Sequence, residues 1–325
     1  MRTLGLGNAL VDVLLRLDTD AVLDEVGIEK GGMDLIDREK MLAIREAQRR
    51  LEYTSAPGGS VANSMRAIAE LGGKPGYIGK TGIDELAAFY EKELEKAGVT
   101  PHFIQVPGET GSSTVLISPD GERTMATYLG PAATLGPDEL SEEIFRMYDC
   151  LYIEGYLIVN GLLLRRAMEL AKRCGLLVAL DLANFNVVRS CGALLHELVP
   201  RYVDILFCNE SEAEAYTGQP AREAVRTLAA DVRFAIVTLG KDGALIGAGN
   251  QVISVPASGG KPVDTTGAGD HFAAGFLYGL GRNATMEQCG RIGSLLAGYI
   301  IEVIGAKIPE KHWEQIKLKV NAILA

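Results

Sequence analysis

Short apolar runs of strand length alternate with stretches of helical periodicity over most of the chain. "TLGLG" (3–7) opens as a strand, and "VANSMRAIAELG" (61–72) follows helical spacing, with Val61, Met65, Ile68 and Ala69 on one face. "PGYIG" is a short strand, and "DELAAFYEKELEKAG" a helix stopped by Gly98. Further on come "CLYIEG", a helix near 161–174, "LLVALD", a helix near 187–198, "VDILFCNE" and "RFAIVTLG". Apolar strands separated by helices predict a mostly parallel sheet covered on both faces, a three-layer α/β/α fold. Two segments break this rhythm. Residues 101–128 alternate and contain "SPDGER", where Asp120-Gly121 is a hairpin signal, and residues 11–36 are mixed. Together they predict a small β-sheet lid standing off the main sheet. No linker or repeat divides the chain, so residues 1–325 are expected to form one domain, helical from 285 to the end.

Composition narrows the function classes. A net charge of −10 argues against a nucleic acid or an anionic membrane as partner. It leaves a phosphate ligand open, because backbone amides at one helix end act locally. No run of 18 apolar residues occurs, and the start lacks a signal peptide's apolar stretch, so a cytoplasmic location is expected. The five cysteines show no paired spacing and sit in apolar surroundings such as "ILFCNE", which predicts reduced core residues.

The stretch "DTTGAGDHF" (264–272) carries the strongest chemical signal. Gly267 and Gly269 permit close backbone approach, and the amides of Gly267, Ala268, Gly269 and Asp270 would point out of a helix start as an anion hole. Asp270 would lie beside a phosphoryl group in transfer, where an aspartate takes the acceptor's proton. The plainer reading is a glycine-rich turn with Asp270 as a cap. Two other motifs fail. Gly79-Lys80-Thr81 lacks the leading glycine of a P-loop, since position 74 is lysine, and "GLGNAL" has Leu10 where a dinucleotide fingerprint needs its third glycine.

"DTTGAGDHFAAGF" and "APGGSVANSMRAIAELGG" resemble the C-terminal and N-terminal motifs of the ribokinase-like (phosphofructokinase-B type) kinases, in the same order. "GNALVDV", "GERTMATYLGPAATL", "YVDILFCNESEA" and "IGAKIPE" extend the likeness over residues 3–312, nearest to the adenosine kinases among them. The resemblance implies Asp270 as general base, Gly267, Ala268 and Gly269 as the anion hole, and Arg123 as a lid arginine on the transferring group. It implies that Asn8, Asp12, Gly58, Gly59 and Asn63 hold the hydroxyls of a ribose-like ring, which suits carboxylate and amide groups. Leu10, Met125, Tyr156 and Leu157 would flank a purine, although all four also fit ordinary packing. Asn209 and Glu212 of "NESE" match an Asn-x-x-Glu element that handles Mg²⁺ through water, while Ser211 and Glu214 fit a capping box. Thr238, Gly240 and Gly243 of "VTLGKDGALI", with Thr266, would face the nucleotide. Two positions depart from the pattern: His271 follows Asp270 where a small residue is usual, and Glu85-Leu86-Ala87 replaces a glycine.

The expected function is therefore an ATP-dependent kinase acting on a primary hydroxyl, with the 5′-hydroxyl of a purine nucleoside first and a sugar (ribose, fructose or a keto-sugar acid) second. A nucleoside-binding protein without catalysis and a dinucleotide oxidoreductase are the remaining readings. Expected ligands are Mg²⁺, ATP and a small-molecule nucleoside or sugar, with a monovalent cation such as K⁺ allowed near Asp264 and residues 301–306. The chain would act as a monomer or a homodimer. Asp270, at a helix N-terminus, is expected to have a lowered pKa and to act more by orientation than by basicity.

Overall fold

The computed structural model describes residues 1–120 and 122–325. The chain begins with β1 (Thr3–Leu6), then crosses to a small sheet with β2 (Leu10–Arg16), β3 (Met33–Leu35) and β4 (Tyr53–Pro57). It returns with β5 (Gly76–Thr81) and β6 (Thr100–Gln105), and adds β7 (Gly111–Ile117) and β8 (Arg123–Tyr128) to the small sheet. The large sheet is completed by β9 (Cys150–Ile153), β10 (Leu177–Asp181), β11 (Ile205–Asn209), β12 (Phe234–Thr238), β13 (Ala244–Ala248) and β14 (Gln251–Val255).

Its order is β14-β13-β12-β11-β10-β9-β1-β5-β6, parallel up to the antiparallel pairs at β13 and β14. The order reverses direction around β1, and crevices outside the carboxyl ends of the strands at such a point are where ligands bind in open α/β sheets. Side chains alternate between two cores. Cys150, Tyr152, Ile205 and Phe207 pack on one face with the helices Ser60–Glu70, Ala268–Gly281 and Met286–Ile300. Leu151, Ile153, Leu206 and Cys208 pack on the other with Gly161–Arg173, Gly192–Tyr202 and Ala221–Asp231. This is the ribokinase-like three-layer arrangement with its second sheet.

The small sheet has the order β3-β8-β7-β2-β4. It differs from the expected lid in two ways. Strand β6 belongs to the large sheet, paired parallel to β5 at its edge, with its inner residues half-buried. Strand β4, "YTSAP", joins the small sheet although it is largely exposed and carries almost no apolar signal. β7 and β8 pair antiparallel, and the expected Asp120-Gly121 turn includes Gly121, which lies outside the described residues. The C-terminal region is not helical throughout, because residues 301–309 separate the helices Met286–Ile300 and Glu310–Leu324. Gly305 there adopts φ 82, and the segment packs under the glycine turn: the Ile301 carbonyl accepts from the amides of Val263 (2.7 Å) and Asp264 (3.2 Å). All five cysteines are unpaired, and Cys150, Cys208 and Cys289 are buried.

The helix carrying Asp270 lies directly on Met286–Ile300 because glycine faces backbone at the crossing. A Cβ on Gly275 would stand 2.7 Å from the Ile292 carbonyl and 2.8 Å from the Gly293 Cα. Gly275→Ala is predicted to cost about 1–3 kcal/mol through overpacking. Urea unfolding should show a lower midpoint with an unchanged slope; an unaltered midpoint would mean that the crossing is looser than described.

Candidate active site

Two helix starts meet at Asp270. Ser60 Oγ donates to its Oδ1 at 2.7 Å and Asn63 Nδ2 to its Oδ2 at 2.9 Å, while Ser64 Oγ donates to its backbone carbonyl at 2.8 Å. Gly267 caps the second helix in the left-handed region, φ 78. The Ala268 amide donates to the Thr265 carbonyl at 3.2 Å, so the anion hole reduces to the amides of Gly267, Gly269 and Asp270, for which no acceptor is present among the described residues. No atom comes within 4 Å of where a Cβ on Gly269 would lie, which leaves space for a ligand above these donors. The expectation of a lowered Asp270 pKa is corrected. Burial raises it, and the hydrogen bonds from Asn63 and Ser60 offset this only in part. Desolvation outweighs the two hydrogen bonds, which makes Asp270 a better base than an exposed carboxylate.

The acceptor side is built by β2 and the Gly58-Gly59 loop. Leu10, Asp12 and Leu14 share the face of β2 opposite the core residues Val11, Val13 and Leu15. Register places Asp12 beside Ala56 and Ser113, and Ser113 beside Thr127, whose hydroxyl is 3.1 Å away. Met125 and Val115 form the next row of the same face. Gly58 lies under the Asp12 carboxylate, since a Cβ there would be 2.2 Å from Oδ1. Gly59 has φ 88 and no room for a Cβ against the Asn8 carbonyl. Asp12 accepts no hydrogen bond from a described residue, and burial lifts its pKa to about 7 against the pull of Arg66. Asn8 and Asn63, expected to hold hydroxyls, are buried, and their amide nitrogens are committed to Glu154 (2.7 Å) and Asp270. Of the polar groups expected there, the Asp12 carboxylate accepts no hydrogen bond from a described residue, and Asn63 Oδ1 is buried without a partner among the described residues.

Across the cleft stand the carboxyl ends of β10, β11 and β12. Asp181, Asn209, Glu212 and Thr238 line one cavity of about 260 Å³ with Asp270, Gly269 and Tyr156. The capping box here is Asn209 with Glu212, not Ser211 with Glu214: Asn209 N and Nδ2 donate to Glu212 at 2.9 and 2.7 Å, and Glu212 N donates back at 3.0 Å. Capping and ligand handling therefore fall on the same two residues. Gly240 and Gly243 form the turn after β12, where Gly243 is required sterically: φ is 89 and a Cβ would lie 2.0 Å from the Val255 carbonyl. Leu157 is buried in the core and lines no cleft; Tyr156 faces the β10–β12 side, while Leu10 and Met125 belong to the small sheet. The four expected purine neighbours are thus divided among three surroundings.

Arg123 ties the small sheet to the glycine turn. Its Nη1 donates to Asp264 Oδ2 at 2.6 Å, while its Nε is buried without a partner. Asp264 also accepts from the Gly305 amide (2.8 Å) and from the Thr266 amide and hydroxyl (3.0 and 2.7 Å). Thr266 is therefore spent on the turn itself.

A family model described as pfkB family carbohydrate kinase matches residues 26–313. The chain belongs to this family. An adenosine kinase of Schizophyllum commune is 28% identical over 96% of this chain and 97% of its own. An uncharacterized sugar kinase of Archaeoglobus fulgidus is 30% identical over 74% of this chain and 96% of its own. The structure of adenosine kinase from Sinorhizobium meliloti superposes with a TM-score of 0.86 at 33% identity, covering 98% of each chain. This pfkB-family kinase is a phosphotransferase acting on a hydroxyl group of a small molecule, and the family implies ATP as the phosphate donor.

Mg²⁺ usually accompanies ATP, and the residues fit it. Burial and the charges of Glu212 and Asp270 lift Asp181 to about 8, and burial raises Glu212. An all-oxygen set strained by its own repulsion suits a hard divalent cation. Among the described residues no three His, Cys, Asp or Glu side chains converge on one point, so the site suits a cation that keeps its waters and phosphates. The Ile301 carbonyl, in the segment expected for K⁺, is already occupied by backbone amides. Sequence reasoning missed Ser60, Ser64, Glu154 and Asp181. The last two had a readable signal: each carboxylate stands at or just past the end of a buried parallel strand, in "CLYIE" and "LLVALD". No helix is long and apolar enough to cross a membrane among the described residues.

The Asp264 carboxyl is raised by burial but pulled down further by Gly305, Thr266 and Arg123, to about 2. Its native pKa lies below the unfolded value, so it stabilises the fold above that value and the contribution is lost as pH falls from about 4 to about 2. Asp264→Asn should lose about 2 kcal/mol at neutral pH. Its stability should also change less than the wild type's over that acid window, as followed by urea unfolding. Parallel acid profiles for the two proteins would refute the assignment.

Proposed function

We propose that this kinase transfers the γ-phosphoryl group of ATP to the 5′-hydroxyl of a purine nucleoside, with residues 1–325 acting as one catalytic unit and the small sheet as its lid. The observation that carries the reading is Asp270, held by Ser60 and Asn63 beside the free amides of Gly267 and Gly269. Asp12 accepts hydroxyl hydrogen bonds of the ribose, and Gly58 and Gly59 let the loop close on the ring. Asp270 orients the acceptor hydroxyl and takes its proton as the oxygen bonds to phosphorus. The phosphorus–oxygen bond to ADP breaks with its electron pair leaving on ADP. The amides of Gly267, Gly269 and Asp270 stabilise the charge on the transferring group, with Arg123 Nε available beside the turn. Mg²⁺, when bound, neutralises phosphate charge. Asp181 and Glu212 hold its water shell from the ends of β10 and β11, and Asn209 and Thr238 face the nucleotide.

The relatives that align over nearly the whole chain include adenosine kinases and a probable sugar kinase, so it is one feature of the cleft that favours a nucleoside over a free sugar. Past the row of Asp12, Ser113 and Thr127, a groove of about 420 Å³ lined by Leu35, Thr127, Leu129 and Pro131 has room for a flat apolar group beyond the ring.

ADP release with Mg²⁺ and ATP across purine nucleosides and free sugars tests this directly. Turnover of a purine nucleoside, reduced about 10²–10⁴-fold in Asp270→Asn, is expected. Turnover of free sugars alone would discard the nucleoside and keep the phosphoryl site, whereas activity that survives Asp270→Asn would discard the mechanism.

A further inference from the structure

His271, the departure beside Asp270, has a defined contact. It is 2% exposed, and its ring Nδ1 lies 2.8 Å from the Gly267 carbonyl, which also accepts from the His271 amide at 3.0 Å. A carbonyl only accepts, so Nδ1 carries the hydrogen and Nε2 is the free acceptor. The same peptide is held at its other end, where the Ala268 N–H donates to the Thr265 carbonyl at 3.2 Å. Gly267 is also boxed from outside, since a Cβ there would be 3.0 Å from the Ala306 Cβ. The Gly267–Ala268 peptide plane is thus pinned on both edges, and the free amides of Gly267 and Gly269 belong to the peptides on either side of it. The ring's surroundings keep it neutral. It lines a cavity of about 50 Å³ with Asn63, the buried Arg66 and Glu70 from one helix, Glu93 and Lys96 from a second, and Lys307 and Glu310, so the charges of both signs are balanced and burial decides. Burial pushes its pKa down to about 4, with the Gly267 contact opposing and Arg66 adding to the shift.

We propose that His271 is a positioning residue for phosphoryl transfer: a neutral imidazole whose Nδ1–H fixes the Gly267–Ala268 peptide and so aims the flanking amides at the transferring group. This rests on reading the 267–270 turn as the phosphoryl site. Asparagine places its Nδ2 the same number of bonds from the backbone as histidine places Nδ1, so His271→Asn can keep the contact and His271→Leu cannot.

The test is steady-state kinetics of wild type, His271→Leu and His271→Asn, each corrected for folded fraction by thermal melting, with a long-range ¹H–¹⁵N spectrum of the wild-type ring. His271→Leu should lower kcat by about 10- to 100-fold with little change in acceptor KM. His271→Asn should recover most of the loss, and the spectrum should show the Nδ1–H tautomer. Unchanged kcat in His271→Leu, no recovery in His271→Asn, or an Nε2–H or doubly protonated ring at neutral pH would overturn the proposal. If His271→Leu fails to fold, the asparagine variant and the tautomer still decide. A wild type without kinase activity would instead count against the reading of the turn, and the tautomer would remain measurable.

Discussion

Three hydrogen bonds at Asp270 hold the beginnings of two helices against each other, and the geometry of the cleft follows from that contact. Ser60 and Asn63 take the two carboxylate oxygens and Ser64 takes the backbone carbonyl, joining residues more than 200 positions apart. One helix start carries the loop that packs on Asp12, and the other carries the glycine turn with its free amides. Their contact therefore sets the distance between the Asp12 side of the cleft and the glycine turn. Both helices also lie on the same face of the large sheet and in the same core, so the site inherits the rigidity of close packing.

Charge gives the cleft its second character. Asp12, Glu154 and Asp181 rise to about 7, 7 and 8, and Glu212 and Asp270 rise as well, each first through burial. Arg123 and Arg66 supply the nearby positive charge, but Arg123 is paired with Asp264 and Arg66 bonds the Pro57 carbonyl at 3.0 Å. Burial disfavours the charged form of each of these carboxyls. On the proposed reading, a divalent cation near Asp181 and Glu212 would offset that cost, and the phosphate oxygens would rest on backbone amides, which carry no net charge.

Much of this was legible in the sequence where the cause is local. The unbroken apolar runs "CLYI" and "ILFC" mark strands buried on both faces, and "GAGD" before an apolar helix marks an amide-lined turn. Other features were not legible, each for a reason. β4 is a largely exposed edge strand with a weak apolar pattern, so periodicity passes over it. Leu157 and Tyr156 are adjacent, yet one is core and the other lines the cleft, a difference set by the short helical turn Gly155–Val159. On paper Glu212 reads as a metal-handling residue and the capping box as Ser211 with Glu214, and only the contacts show that Glu212 is the cap partner of Asn209.

By itself the sequence determined the layer order, the places where backbone must come close to a ligand and the residue types available for phosphoryl transfer. Those depend on strand and helix periodicity and on glycine's missing Cβ, which act over a few residues. The tertiary structure alone decided that Asn8 serves Glu154, that Asp181 shares a cleft with Glu212 and Asp270, and that the His271 ring meets the Gly267 carbonyl. It also reversed the expected shift of Asp270. Hydrogen-bond partners and desolvation are sums over chain segments far apart in sequence, and no local pattern records which segments will meet.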